Sequence, residues 1–299
     1  MFLTTSGRNR TKCMHNVSGV VSVLLALCLV PDSSGALTGR IVIAGYGPEQ
    51  PVITDLARAY EKLHPGTAID LEWDKTVRAI ERVKAREAHI AVADGPDPEL
   101  DSTTIAWDGI AVIVNFANPL TEVTSEQVRG LFTGKLARWS DLEGADKPVE
   151  VITRSGNGNL TTGLEQSLGI SGRMAKPTMI ARSDQQTLRL VSGRDAAISY
   201  MSLRAALHAQ EDGISVRILT VDRVEPGEPT IANGSYPIKR PVLLLSSFKK
   251  DPLTVSFLSF AQSASGQLLV QSMYTPLGSS ATVINPKQGI QPNTAGPKT

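Results

Sequence analysis

The sequence predicts an α/β protein built on a largely parallel β-sheet, and two observations support this fold class. Short runs of β-branched and other apolar residues alternate with segments whose apolar residues recur at helical spacing. This alternation is typical of sheets whose parallel strands are joined by helices. The chain of 299 residues is long enough for one large domain or two modest domains, each with a core of its own.

The first elements form a β-α-β-α-β series. Strands are predicted at residues 40–44, 68–73 and 89–93, and helices between them at residues 52–63 and 76–86. His64, Pro65 and Gly66 end the first helix, because proline and glycine do not favour its continuation. The series ends in the turn-rich residues 94–98.

The next elements keep the alternation. Residues 109–115 form an apolar run too continuous for an exposed strand, and Asn118 and Pro119 break it. A helix at residues 124–132 follows, with Thr124 or Ser125 as its N-cap. A strand is predicted at residues 149–153, and the polar loop 157–159 leads into a helix through Leu168.

The last third of the chain completes the pattern. A helix is predicted at residues 184–191 and strands at 196–201 and 240–245, with a polar, proline-rich stretch at 221–233 between the strands. One or two helices occupy residues 253–274. Residues 279–299 are polar and have no apolar period, which predicts a disordered tail.

The first 36 residues have the pattern of a secretory signal peptide. Basic residues 8, 10 and 12 precede the apolar run 17–30, and Ser34, Gly35 and Ala36 form a cleavage motif. The apolar run is shorter than the roughly 20 residues of a membrane span, although an anchor stays the alternative. Lipidation of Cys28 is a second alternative, but Leu27 before it is larger than such signals favour. We expect export to the periplasm.

Composition and motifs exclude several function classes. Lys and Arg total 30 against 29 Asp and Glu, a balance that disfavours nucleic-acid binding. Both cysteines lie in the predicted signal peptide, so a disulfide framework is excluded. The histidines lack metal-ligand spacing and no nucleophile motif is present, so we expect no metal, no cofactor and no enzyme. Gly45-Tyr46-Gly47 has the G-x-G pattern but not the third glycine of a dinucleotide loop, and it favours a tight strand–helix turn.

Residues 107–142 closely resemble the solute-binding proteins of phosphate ABC transporters. Shared features are Asp-Gly before an apolar strand, then Asn-Pro, and Phe-Thr-Gly-Lys with a Trp a few residues later. Further matches in the family's order lie at residues 151–154, 196–200, 236–241, 266–267 and 274–277. The resemblance covers residues 39–278.

This resemblance implies a two-lobed periplasmic-binding-protein fold of type II, in which each lobe is a mixed, mostly parallel sheet flanked by helices. Lobe one would comprise residues 37–111 and 238–278, and lobe two residues 112–237. The two hinge crossings would be the strand 109–115 and the segment around Pro237. Ligand capture by hinge closure is the implied mechanism.

The resemblance also implies an anion site. Arg154 matches the family's phosphate-clamping arginine, and Asp94 matches the aspartate that accepts a proton from hydrogen phosphate. Gly158, Asn159, Thr161, Thr76 and Gly47 complete the predicted ligand-binding residues.

Two departures from the family pattern leave the ligand open. Gly158, Asn159 and Leu160 stand where the family has Ser-Gly-Thr, and Glu49 would place a carboxylate near a bound anion. Besides phosphate and a different small ligand, a further possibility is that the protein binds no ligand. Arg154 and Asp94 would then form an ion pair between its lobes.

The favoured function is an exported, monomeric solute-binding protein that delivers inorganic phosphate or a similar small anion to an ABC permease at the inner membrane. The alternative is a binding-fold module with a degenerate site, acting in sensing, adhesion or assembly. A hydrolase on the same fold has little support, since the histidines are unpaired.

Overall fold

A computed structural model describes residues 37–74, 78–93, 95–155 and 159–278, with the side chain of Asn159 excepted. The predicted signal peptide and the predicted tail lie outside the described residues. So do three of the predicted site residues, Thr76, Asp94 and Gly158.

Strands and helices alternate through most of the described chain. The strands are β1 (Gly39–Gly45), β2 (Thr67–Trp73), β3 (Ile90–Ala93), β4 (Asp101–Asn115), β5 (Glu122–Val123), β6 (Glu150–Arg154), β7 (Met179–Ala181), β8 (Ala197–Ser202), β9 (Val216–Ile218), β10 (Thr220–Val221), β11 (Lys239–Ser246) and β12 (Thr275–Pro276). The helices are α1 (Gln50–Leu63), α2 (Ala79–Lys84), α3 (Ser125–Thr133), α4 (Asn159–Leu168), α5 (Asp184–Ser192), α6 (Leu203–Glu211), α7 (Glu228–Ala232), α8 (Pro252–Gln262) and α9 (Ala264–Val270), with a 3₁₀ turn at Trp139–Leu142.

Most strands form one mixed sheet in the order β2-β1-β3-β11-β4-β8-β6-β7, with β9 and β12 also pairing with β4. The pairs β1–β2, β1–β3, β6–β7 and β6–β8 are parallel. β11 is antiparallel to β3 and β4, and β8 is antiparallel to β4. The predicted mixed α/β fold with parallel series is therefore confirmed.

Strand β4 joins two apolar cores. The first core packs on both faces of β1, β3 and β11, and its fully buried residues include Ile41, Phe257 and Leu245. The second core packs around β6, β8 and the last part of β4, and it includes Phe132, Leu164 and Ile198. Along β4, the buried side chains change from the first core at Ala106 to the second core at Ile110.

Strand direction follows from this pairing. Because β11 is antiparallel to both β3 and β4, the strands β1, β2 and β3 run the same way as β4, from the first core towards the second. Since β8 is antiparallel to β4 and parallel to β6, strand β6 runs from the second core towards the first. The C-terminal ends of both parallel sets therefore point to the junction between the cores.

Local signals explain several element boundaries. The Thr124 side chain accepts a hydrogen bond from the N–H of Gln127, and the Gln127 side chain accepts one from the N–H of Thr124. This capping box makes Thr124 the N-cap of α3, one of the two residues predicted for that role. The same helix ends at Gly134, whose φ of 75° is left-handed.

Other predictions need correction. The helix predicted from residue 76 begins only at Ala79, and residues 75–77 lie outside the described chain. Strand β4 begins at Asp101, well before the predicted residue 109, because its first half pairs with β11. Helix α6 was not predicted, and α7 lies within the stretch expected to be irregular. None of the helices in the described chain has both the length and the apolar character needed to cross a membrane.

Candidate functional site

The C-terminal ends of four strands point to the junction between the two cores. These strands are β1, β2, β3 and β6. Ligands of open α/β sheets bind at the carboxyl ends of such strands. Across this junction, a Cβ on Gly95, in the loop after β3, would lie 3.4 Å from Gln166 Nε2 on α4. The residue that follows Asp94 is therefore close to a side chain of α4.

The loop after β1 is a tight strand–helix turn, as predicted from its glycines. Gly47 has a φ of 102°, which residues with a side chain rarely adopt. The indole Nε1 of Trp73, the last residue of β2, donates to Gly47 O over 3.1 Å. A Cβ on Gly45 would lie 2.6 Å from the ring of Trp73. Glycine at residue 45 thus lets the indole cover the loop.

Arg154, the last residue of β6, is held by an aspartate. Its Nη1 bonds to Asp184 Oδ1, in the first turn of α5, and lies 3.5 Å from Thr187 Oγ1. The charge of the predicted clamping arginine is therefore partly compensated by a carboxylate of the protein itself. Asp184 follows the N-cap residue Ser183 at the end of the neighbouring strand β7, so the two charged side chains meet at one sheet edge.

Arg154 still has donors available. Its side chain keeps 18% of its accessible surface, and within the described part of the chain its Nε and Nη2 groups have no partner. An arginine has N–H donors on three nitrogens in a fixed fork, so one carboxylate on Nη1 orients the group without occupying it fully. The ion pair thus fixes the direction in which the remaining donors can serve a ligand.

Tyr200 links the surroundings of Arg154 with Thr161 in the first turn of α4. The Tyr200 hydroxyl lies 2.7 Å from Thr161 Oγ1 and close to the backbone of Arg154. Burial raises the pKa of Tyr200, so it stays protonated. If its single proton goes to Thr161 Oγ1, the Thr161 hydroxyl is left with a proton to donate. The predicted residues Arg154 and Thr161 are therefore brought together, by a tyrosine that the sequence did not indicate.

A shallow depression opens beside these groups. It has a volume of about 320 Å³ and is lined by Thr153, Arg154, Thr161, Glu165 and residues 174–177. Glu165 and Lys176 place one charge of each sign in its wall. The depression shows that the end of β6 and the start of α4 are reachable from solvent.

Glu49 does not intrude on the loops as a free carboxylate, which corrects the expectation for this residue. It is buried and its Oε1 accepts from Arg240 Nη2 over 2.6 Å. Arg240 also donates to Asp108 Oδ2, from Nε at 3.2 Å and from Nη2 at 2.9 Å. We call Glu49, Arg240 and Asp108 the buried charge cluster.

The buried charge cluster lies at the junction between the cores. Asp108 on β4 and Arg240 on β11 are paired residues of the two strands that pass from one core to the other. Their side chains are 2% and 0% exposed, and that of Glu49 is 1% exposed. Glu49 Oε2 and Arg240 Nη1 have no hydrogen-bond partner in the described chain. Such burial is costly unless the charges compensate each other.

The cluster's ionisation follows from its surroundings. Burial raises the pKa of Asp108, while Arg240 and the Ser202 hydroxyl, which donates over 2.7 Å, act in the opposite direction. Burial by itself would lower the pKa of Arg240, but the charges of Glu49 and Asp108 raise it above its ordinary value. Arg240 is therefore always charged and neutralises one of its two carboxylates.

Of the predicted site residues, Gly47, Arg154 and Thr161 lie at this junction. Asn159 begins α4 there, and Thr76, Asp94 and Gly158 belong to the same loops but lie outside the described residues. Asp184, Tyr200 and the buried charge cluster were not identified from the sequence as parts of the site. A usable signal for the cluster was present, because Asp108 and Arg240 each begin an otherwise apolar run.

Residues 30–265 match the family model of the PBP superfamily domain. Among curated proteins, the chain is 21% identical to the Phosphate-binding protein PstS of Borreliella burgdorferi over 267 residues, which cover 84% of this chain and 95% of the relative.

Two solved structures are also similar. One is an ABC-type phosphate transport receptor from Vibrio cholerae, with a TM-score of 0.71, 26% identity, and coverage of 80% of this chain and 100% of the receptor. The other is a putative phosphate ABC transporter substrate-binding protein with bound phosphate from Clostridium perfringens, with a TM-score of 0.66, 25% identity, and coverage of 80% and 99%.

Proposed function

Since the chain belongs to the PBP superfamily, whose domain it matches over residues 30–265, we propose that it is an exported solute-binding protein that captures phosphate or a related oxyanion. The observation that carries this proposal is the position of Arg154 and the start of α4 at the junction of two cores, where the C-terminal ends of β1, β2, β3 and β6 point. Its similarity to phosphate receptors of known structure supports the choice of ligand.

The two cores are proposed to be the two lobes of the binding protein, with lobe one at residues 37–111 and 238–278 and lobe two at residues 112–237. The change of core along β4 between Ala106 and Ile110 supports the first crossing. The second crossing is supported by a change of core between Ile238, in the second core, and Val242, in the first, so both changes fall a few residues inside the proposed bounds of lobe one. Ligand would be captured when the lobes close about these crossings.

The chemistry of the site suits an oxyanion. An anion that leaves water must receive hydrogen bonds from the protein, and charge-assisted bonds from a guanidinium are the strongest of these. Arg154 has unused donors, Thr161 can donate its hydroxyl proton, and α4 presents its N-terminal N–H groups. Gly47, Thr76, Asp94, Gly158 and Asn159 complete the proposed site, and Asp94 would accept the proton of hydrogen phosphate.

The proposal includes the cellular setting. Residues 1–36 would direct export to the periplasm, or Cys28 would carry a lipid anchor. The protein would act as a monomer that delivers its anion to an ABC permease at the inner membrane, and it would be a receptor without catalytic activity. Curated and solved relatives that are named as phosphate-binding proteins and receptors support this setting.

A thermal-shift titration of the purified protein with inorganic phosphate tests the proposal. Phosphate at about 100 times Kd should stabilise the protein by about 2.7 kcal/mol. Arg154→Ala should abolish the shift, because it removes the cation and its fork of donors. Arg138→Ala is the matched control, since Arg138 also pairs with one carboxylate, Asp146, but on an exposed surface.

A flat response to millimolar phosphate would refute phosphate as the ligand, and equal shifts with phosphate and sulfate would refute recognition of the phosphate proton. The alternative is a module with a degenerate site that acts in sensing, adhesion or assembly. The Arg154–Asp184 ion pair supports this alternative, because it neutralises part of the arginine's charge within the protein.

A further inference from the structure

The buried charge cluster has no part in the proposed contacts with an anion, yet it touches both sides of the site. Glu49 is the N-cap residue of α1 and follows the tight turn after β1. Asp108 and Arg240 lie on the two strands that cross between the cores. The Ser202 hydroxyl, at the end of β8, joins the cluster through Asp108.

Arg240 also contacts α4 directly. A Cβ built on Gly163 of α4 would lie 2.7 Å from Arg240 Cδ and 2.8 Å from Arg240 Cβ. Such distances are too short for real carbon atoms, so only glycine permits this approach. Arg240 is therefore in contact with Glu49 at the start of α1 and with the second turn of α4.

Arg240 cannot move away to relieve a clash. Its guanidinium is held by Glu49 and Asp108, and its side chain is fully buried. Its Cβ belongs to β11, whose backbone pairs with β4 at this residue. A larger residue at 163 would therefore displace α4 and leave Arg240 in place.

We propose that Arg240 is a positioning residue: it holds the N-terminal turns of α1 and α4 at a fixed separation and so sets the size of the oxyanion that fits between them. This inference rests on the proposed function for its ligand. Arg240 would act without touching the anion, because its side chain is fully buried and its Nε and Nη2 groups donate to Asp108 and Glu49.

A gap of fixed width discriminates by size. Phosphate and arsenate have the same charge and shape, but arsenate is larger. If α4 is displaced away from Arg240, the hydrogen bonds to phosphate lengthen. The hydrogen bonds to arsenate lengthen less, because the larger anion fills more of the wider gap. A variant that merely destabilised the fold would weaken the binding of both anions by the same factor. The ratio of the two dissociation constants therefore reports on spacing.

The test variant is Gly163→Ala, and Gly130→Ala is its matched control. Gly130 is also a buried glycine inside a helix of the second core, and a Cβ there would lie 2.8 Å from Leu136 Cδ1. The end of a leucine can rotate away, and residue 130 contacts no member of the buried charge cluster. Both substitutions change helix propensity equally.

Two measurements are made on each variant. Calorimetry gives Kd for phosphate and for arsenate. Spin labels on Arg58→Cys in α1 and Gln166→Cys in α4, both exposed residues, give the distance between the two helices without ligand. Residues 37–299 contain no cysteine, so the labels are specific in the exported chain.

Gly163→Ala is expected to raise Kd for phosphate roughly tenfold, to raise Kd for arsenate less, and to lengthen the distance between the labels. Gly130→Ala should change neither the ratio of the two dissociation constants nor the distance between the labels. The same distance distribution for both variants would overturn the inference whatever the binding data show. If the wild-type protein binds neither anion, the proposed function fails, and the distances still decide the role of Arg240.

If Gly163→Ala does not fold, Glu49→Gln replaces it. This variant keeps the shape of the side chain but loses the charge that ties α1 to Arg240. A broader distance distribution than in the wild type would support the positioning role. An unchanged distribution would overturn it.

Discussion

Asp108 and Arg240 face each other as paired residues on adjacent antiparallel strands, and Arg240 Nη2 lies 2.9 Å from Asp108 Oδ2 at the junction of the two cores. Glu49 binds the same nitrogen from the other side over 2.6 Å. A charge cluster without solvent contact thus occupies the place where both crossing strands meet the loop after β1. Its removal should affect stability in a pH-dependent way.

Arg240→Ala should destabilise the fold by about 3–5 kcal/mol at neutral pH, because it leaves two carboxylates buried without a cation. Burial already raises the pKa of Asp108, and loss of Arg240 would raise it further. A carboxyl group with a raised folded-state pKa stabilises below its unfolded value of 3.8 and loses that contribution as the pH rises through its folded value. The loss should therefore be greater at pH 7 than at pH 4.5.

Urea unfolding at the two pH values measures this loss. Arg204→Ala is the control, because Arg204 and its partner Glu228 are both about one-third exposed. Its cost should be about 0–1 kcal/mol and nearly independent of pH. Equal costs for the two variants would show that the buried charge cluster contributes no more than a surface ion pair.

Arg154→Lys should weaken phosphate binding at least about tenfold, although the charge is kept. A lysine ammonium cannot donate to Asp184 and to an anion with the fixed geometry of a guanidinium. Isothermal titration calorimetry gives the two dissociation constants. Arg138→Lys is the control, because Arg138 forms an exposed ion pair with Asp146, and it should leave Kd unchanged. An unchanged Kd in Arg154→Lys would argue against hydrogen bonds from the Arg154 guanidinium to the ligand.

Tyr200→Phe should weaken phosphate binding and should make a second change at Thr161 nearly neutral. The tyrosine hydroxyl orients the Thr161 hydroxyl over 2.7 Å, so either substitution breaks the same chain. A double-mutant cycle with Thr161→Val should give a coupling of about 0.5–1.5 kcal/mol in binding free energy. Strictly additive effects would show that the two hydroxyls act independently.

Thr124→Ala should cost about 1 kcal/mol of stability without changing phosphate affinity, since it removes the side-chain half of the capping box of α3. Thr133→Ala is the comparison within the same helix, because that hydroxyl bonds back to backbone carbonyls of the helix itself, Arg129 O and Gly130 O. Chemical denaturation separates the two. A Thr124→Ala variant as stable as the wild type would mean that the cap contributes nothing to α3.

The sequence predicted most elements because their signals are local. The β-branched runs of β1 and β6 and the capping box at Thr124 need no tertiary information. Helix α6 gave a weaker signal, since its N-cap residue Ser202 makes no side-chain cap and donates to Asp108 instead. The first half of β4 is only partly buried and is specified by its pairing with β11.

The site was predicted only where a single residue could be matched along the chain. Arg154 follows a recognisable strand, but its partner Asp184 lies thirty residues later and meets it only because β6 and β7 are neighbours. The pairing of Arg240 with Asp108 depends on the register of β11 against β4, which no local pattern contains. The compensation of Glu49 by Arg240, separated by 191 residues, was hidden for the same reason.

The contact of Trp73 with Gly47 gives the protein an intrinsic optical reporter. Of the three tryptophans, Trp73 alone donates its indole N–H to the loop after β1. Trp139 is buried in the second core with its N–H on Ala196 O, and Trp107 lies under the Lys239 ammonium. An emission change on adding phosphate that survives in a Trp139→Phe variant and vanishes in Trp73→Phe would reveal loop rearrangement without any attached dye.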